Sequence, residues 1–356
     1  MSPLLLISSR WFGWARFSKI AVLAAAALAV SLLCAGTPAA DVPRQVLAVY
    51  YGWYGNPATS GHWVHWKNVD PANERIENST HYPAYGAYDS HDPAILDRQA
   101  AAARGAGITG FIASWWGQGS FEDHGMPLLL DAAGRHALAV SAYYEQIAGD
   151  DAAARIKAAV ADLDYLLSHY AAHKAWLRAA GKPVVFVYGR ALHQLSPAEW
   201  REVIAQIHRD NPGGVALVAD SLEPAFLAAF DGASTYNITG QTQHKTAPQL
   251  HEWARAAYPK MVATAGPGKI SSLTVIPGYG DSKVGRLAPR PVIERWGGET
   301  YRALWQAAVA ADPDYVLITS WNEWHEGSEL EPSVEYGSVI LDETAGFARE
   351  FLAGKK

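Results

Sequence analysis

Residues 315–327 read YVLITSWNEWHEG. The first half is an unbroken run of β-branched, aliphatic and aromatic residues without polar alternation, the pattern of a strand covered on both faces in a parallel sheet. PVVFVY at 183–188 has the same character. Outward from these two, further strands are expected at Val46–Tyr51, Ile108–Trp115, Ala137–Tyr144, Gly214–Ala219, Gly232–Asn237 and Ser272–Ile276. Helical stretches, several rich in alanine, fall between them, at Pro93–Arg104, Met126–His136, Asp151–Arg178, Pro197–Arg209, Pro248–Tyr258 and Glu299–Ala310, with Pro and Gly marking their ends. Parallel neighbours need crossover helices, and eight strand–helix units can close on themselves. The expected fold is therefore α/β, a single (β/α)8 TIM barrel spanning residues 41–356. Gly52–Asp92 stands outside the alternation as a long first βα loop, rich in Trp, His, Tyr and Asn, and loops of that length are usually functional or disordered. Its aromatic content argues against disorder.

The composition agrees with a large core. Of 356 residues, 49% are hydrophobic and only 18% charged, which excludes a disordered tail or a coiled coil. The 14 Trp and 17 Tyr outnumber the 9 Phe, and such rings present an apolar plate with a polar tip that suits a sugar face, although most are expected to serve the core. Residues 1–40 read differently: Arg10, Arg16 and Lys19 precede an apolar run from Ile20 to Leu33, then small residues around Ala35, Gly36, Ala39 and Ala40. That is the pattern of an export signal, so a periplasmic or secreted location is expected, with retention as an uncleaved membrane anchor as the alternative. The bulky Leu33 before Cys34 argues against lipid attachment. Without the leader the charge is 26 minus 35, or −9, which opposes binding to a phosphate backbone, so no nucleic-acid partner is expected. The single cysteine also lies in the leader, leaving core packing rather than disulfides to hold the domain.

In a barrel of this kind the reacting groups come from the carboxyl ends of the strands. Those ends read YYGWYGN (50–56), SWWGQG (114–119), YYEQ (143–146), YGR (188–190), Asp220, TYN (235–237), PGYGD (277–281) and finally SWNEWHEG (320–327). Glu323 and Glu326 sit three residues apart just past a buried strand, so a single turn can aim both carboxylates into one cavity. Two carboxyl groups with separated pKa values are the minimum equipment for cleaving an acetal. Trp324 and His325 could supply the apolar wall and hydrogen bonds that raise one of them. A solvated, inert acidic loop is the plain alternative. Glu145 would be a third acid facing the same opening, with pairing to Arg190 or Lys182 as its structural alternative, and Asp220 is a weaker candidate. His62, His65, His81, His91 and His325 are scattered without metal-ligand spacing, so no metal is expected. The sequence has no GxSxG elbow, phosphate-binding loop or GxGxxG after a strand, so no cofactor is expected either.

The segments YYGWYGN…HW, HYPAYGAYDSHDPAIL, GITGFIASWWG, PLLLDAA, GKPVVFVY and ITSWNEWHEGSELEP together resemble glycoside hydrolase family 99, over about residues 46–332. The resemblance implies a (β/α)8 endo-α-mannosidase or endo-α-mannanase acting on an α-mannan or mannoside oligosaccharide. It matches Glu323 to a general base acting on the substrate's own 2-hydroxyl, which attacks the anomeric carbon to give a 1,2-anhydro sugar. Glu326 matches the group that protonates the departing oxygen and then activates water, so that configuration is retained without a covalent enzyme intermediate. It also implies that Glu145 hydrogen-bonds the reacting sugar and that Tyr51, Trp116, Tyr188 and Tyr236 line the cleft. The chain departs from the family where Gly52 replaces a usually acidic residue, and the loops after strands five and six look short. Two other readings stay open: a non-catalytic or polysaccharide-assembly carbohydrate binder on the same barrel, and an unrelated glycosidase using a covalent Glu intermediate.

Overall fold

The structure is a computed structural model that describes residues 42–285 and 290–354. The expected leader, residues 1–40, lies outside the described residues. Eight parallel strands carry the barrel: β1 (Gln45–Tyr50), β2 (Gly110–Trp115), β3 (Ala139–Tyr144), β4 (Lys182–Val187), β5 (Ala216–Asp220), β6 (Gly232–Ser234), β7 (Ile270–Val275) and β8 (Tyr315–Ile318). Each pairs with its sequence neighbours, β8 pairs with β1, and the β3–β4 pairing completes the ring. The crossover helices are α1 (Pro93–Gly105), α2 (Phe121–Arg135), α3 (Ala152–His169), α4 (Pro197–Asp210), α5 (Ala247–Ala265) and α6 (Glu299–Ala311), with α7 (Val339–Ala353) following β8. Between β5 and β6 only a single turn, Pro224–Leu227, makes the return.

The unbroken apolar runs are explained by two cores. Val46, Ala48 and Tyr50 of β1 pack outward against helices, while Leu47, Val49 and Tyr51 join Ile112, Tyr143, Val184, Phe186 and Leu317 in the barrel interior. Neither face of the strand meets water, so apolar residues are favoured on both. Helix starts are fixed locally. Asp92 caps α1 ahead of Pro93, Ser120 caps α2, Asp151 caps α3, and Ser196 forms a capping box with Glu199 at α4.

Two expected helix boundaries are corrected. The stretch expected as one helix from Asp151 to Arg178 ends at His169. Beyond it, Trp176 bridges to Val140 of the sheet and Arg178–Ala179 folds back antiparallel on Lys182–Pro183, turning through Ala180 and Gly181 at φ 49° and 81°. Residues of good helix propensity are thus drawn into sheet pairing by tertiary contacts. The helix expected to stop at Tyr258 instead runs on through Pro259 to Ala265.

The long first loop is ordered by its aromatic rings. Tyr54 stacks on Trp66 with centroids 3.9 Å apart, and the Trp66 indole N–H donates to the Tyr88 carbonyl at 2.8 Å. The loop then grips the segment after β8: Thr80 N–H donates to the Trp324 carbonyl at 2.9 Å and Ala84 N–H to the Pro332 carbonyl at 2.9 Å. The long first loop is thus a clamp on the acidic turn at the barrel mouth.

Candidate active site

A cavity of about 770 Å³ opens at the carboxyl ends of the strands. Tyr51, Trp116, Glu145, Tyr188, Tyr236, Glu323, His325 and Glu326 all line it. Eight of the nine site residues expected from sequence therefore converge on one space. The ninth, Trp324, does not line it. Its side chain is fully buried behind the turn, with the indole N–H donating to the Tyr88 hydroxyl at 3.1 Å. Of the two residues between Glu323 and Glu326, His325 lines the cavity, whereas Trp324 is buried and anchors the turn from behind.

The acidic turn is held from several sides. Glu323 N–H donates to Ser320 Oγ at 2.7 Å, and Gly280 N–H donates to the Glu326 carbonyl at 2.7 Å. Asn322, just before Glu323, brackets the Tyr51 backbone, accepting from its N–H at 2.7 Å and donating to its carbonyl at 2.9 Å. Tyr88 accepts from Asn322 and Trp324 and donates to buried Glu331 at 2.8 Å, so a saturated polar network lies behind the turn.

The carboxylates have different surroundings. Glu323 is buried, and its Oε1 accepts the His325 backbone N–H at 3.1 Å with the His325 ring Nδ1 at 3.2 Å. The other ring nitrogen of His325 faces the His65 carbonyl at 3.1 Å. Burial alone would lower the His325 pKa, but the Glu323 hydrogen bond and charge, the His65 carbonyl and Glu326 outweigh it and raise it above its ordinary value. Glu326 is half-buried and accepts from the Tyr236 hydroxyl at 3.4 Å, while Tyr51 donates to Tyr236 at 2.7 Å. A hydrogen-bonded chain thus runs Tyr51 to Tyr236 to Glu326. Burial, joined by the nearby carboxylates, holds both tyrosines well above the usual phenol range, so they remain donors.

Glu145 differs again. It is buried at the end of β3 and accepts from Ser114 Oγ at 2.8 Å, which in turn accepts the Trp116 indole N–H at 3.0 Å. Burial outweighs the Ser114 hydrogen bond and the Arg190 charge and pushes the Glu145 carboxyl up to about 8. Arg190 acts on it only at range, and Lys182 starts β4 at the opposite end of the barrel, so neither forms an ion pair with Glu145. Below the unfolded value of 4.5 the folded-state proton contributes its full stability, which is lost as pH rises towards 8. Glu145→Gln removes that penalty. The Tm of the variant relative to the parent is expected to improve from pH 5 to pH 8.5, and a pH-independent difference would contradict it. Asp220 serves as a bracket, accepting Gly189 N–H at 3.0 Å and Tyr236 N–H at 2.7 Å, which ties the ends of β4 and β6 together.

Sequence reasoning did not select Trp53, His65, Arg190, Asn237, Tyr279, Lys283 or Arg290, all of which line the cavity. Four of them, Trp53, Arg190, Asn237 and Tyr279, belong to the strand-end segments. In the sequence His65 reads only as a metal candidate, whereas it stacks on Trp53 at 4.6 Å with the rings 9° apart. Lys283 and Arg290 come from the loop after β7, where nothing local marks them. Gly52, the departure in the opening segment, does not line the cavity. Among the described residues no group of three or more His, Cys, Asp or Glu side chains could hold a metal ion, and no helix is long and apolar enough to cross a membrane.

With this geometry in place, the comparisons with known proteins are specific. Residues 42–339 match the family model described as Glycosyl hydrolase family 99. The chain is 30% identical to the mouse glycoprotein endo-alpha-1,2-mannosidase-like protein, covering 88% of this chain and 79% of that one. It is 25% identical to the mouse glycoprotein endo-alpha-1,2-mannosidase, covering 81% and 67%. The solved GH99 endo-alpha-mannosidase from Bacteroides thetaiotaomicron is similar with a TM-score of 0.74 and 26% identity, over 87% of this chain and 98% of that chain.

Proposed function

Because this chain belongs to glycosyl hydrolase family 99 and is a glycoside hydrolase, we propose that it cleaves an internal linkage of an α-mannan or mannoside oligosaccharide. The observation that carries the reading is the convergence of Glu323 and Glu326, from one turn after β8, on a cavity lined by Tyr51, Trp116, Tyr188 and Tyr236. Such a space matches a sugar chain, with rings to stack on and hydroxyl and carboxyl groups to bond.

The proposed chemistry uses the substrate's own 2-hydroxyl. Its oxygen bonds to the anomeric carbon as its proton passes to Glu323, while the glycosidic bond breaks and the departing oxygen takes the proton of Glu326. Water then adds at the anomeric carbon, giving a proton to Glu326, and the epoxide oxygen recovers its proton from Glu323. Two displacements at one carbon retain configuration, and the axial 2-hydroxyl of mannose lies on the face opposite the leaving group, where it can attack. The surroundings support this division of labour: the two His325 N–H groups fix the orientation of Glu323, and the Tyr51–Tyr236 chain addresses Glu326. Glu145, neutral below about pH 8, can donate a hydrogen bond to a hydroxyl of the reacting ring.

Incubation of the purified chain with a panel of linear and branched α-mannosides tests the reading. Release of oligosaccharide whose new reducing end is first seen as the α-anomer is expected. Products of inverted configuration would overturn the mechanism, and tight glycan binding without any product would favour the carbohydrate-binding alternative. The reading places the protein outside the cytoplasm, by its N-terminal sequence, which fractionation of expressing cells checks.

A further inference from the structure

Arg190 follows β4 and lines the cavity on the wall built by strands two to four, across the barrel from the loop after β7. Its guanidinium lies 4.7 Å from the Trp116 ring centroid and 5.6 Å from that of Tyr188. It makes neither a hydrogen bond nor an ion pair with any described residue. Among the described residues the other arginine lining the cavity, Arg290, is paired with Asp281. In a domain where acids outnumber bases 35 to 26, a cleft-lining guanidinium left without an acid is a specific arrangement.

The surroundings explain why the charge is unspent. Glu145 is the nearby carboxyl group, yet it is turned to Ser114 at 2.8 Å and burial favours its neutral form. Trp116 is fixed through its indole N–H to the same Ser114, at 3.0 Å, so the plate under Arg190 is anchored. An arginine propped on aromatic faces keeps its five N–H donors in a planar fork, a geometry matched by a carboxylate or a phosphate rather than by a single hydroxyl.

We propose that Arg190 is a specificity residue that receives an anionic substituent, carboxylate or phosphate, carried by a sugar bound on the Trp116 and Tyr188 wall of the cleft. This rests on the α-mannoside reading above and narrows it to an acidic or phosphorylated glycan. Trp116 and Tyr188 hold the ring that bears the charge, and Arg190 closes on the substituent at its edge.

The test uses the full chain bearing Glu326→Gln, so that bound sugar is not consumed. Titration calorimetry is run with a neutral α-mannose oligosaccharide, the same oligosaccharide carrying a 6-phosphate, and one carrying a uronate ring. The anionic sugars are expected to bind about tenfold more tightly at low salt, with the gain shrinking as salt is added. Adding Arg190→Gln should bring the anionic-to-neutral ratio close to one, and Arg190→Lys should restore part of it for phosphate more than for carboxylate, because a point charge lacks the fork. An equal affinity for all three sugars, or a preference that persists in Arg190→Gln, overturns the inference while leaving the α-mannoside reading intact. If none of the three binds, that reading falls and the inference falls with it.

Discussion

Glu326→Gln is expected to lower kcat/KM on a natural α-mannoside by about 10²- to 10⁴-fold, the usual range for removing a positioned proton donor. The loss should shrink when the departing group is an activated phenol, because such a group leaves without a proton. Glu323→Gln should cost a similar factor on both substrates, since the 2-hydroxyl must surrender its proton whatever leaves. This contrast separates the roles of two groups only three residues apart. Each replacement is nearly isosteric, and the Gln carbonyl can still accept from the His325 N–H groups or the Tyr236 hydroxyl. Unfolding midpoints close to the parent's are therefore expected alongside the kinetic loss. Turnover retained in both variants would defeat the assignment.

Trp324→Ala carries the largest expected effect on stability, about 3 to 5 kcal/mol. Trp324 is 0% exposed and packs with Tyr54, Trp66 and Tyr88 in the inner core. Its loss leaves a cavity behind the acidic turn and deprives the Tyr88 hydroxyl of one of its two donors. A Tm fall on the order of 10 °C follows for a domain of this size. Trp116→Ala is the control, because its half-buried ring faces the cleft and should weaken glycan binding far more than folding. A Trp324→Ala protein as stable as the parent, with weakened binding alone, would return Trp324 to the cleft wall.

The barrel was legible because burial on two faces leaves a signature in each strand by itself: VVFVY and YVLIT need no distant partner to be read. The acidic pair was legible for a related reason. Strand ends are adjacent in sequence to the chemistry they carry, so WNEWHEG could be placed at the mouth once the strand was found. The helix boundary at His169 was not, because AWLRAAGK has helical propensity and the partner that draws Trp176 into the sheet, Val140, lies far away along the chain. Trp324 was misplaced for the same reason, since spacing along a turn cannot say which side chain faces the cavity and which faces Tyr88.

The sequence by itself determined the strand order, the site's location and the residue types available there, because hydrophobic period and strand ends are local properties. Only the tertiary structure decided that Tyr51 reaches Glu326 through Tyr236, that Glu145 is buried enough to hold its proton, and that Arg190 lies across two rings without an acid. Hydrogen bonding, desolvation and charge act over a few ångströms of space, and residues that close can be hundreds of positions apart in the chain.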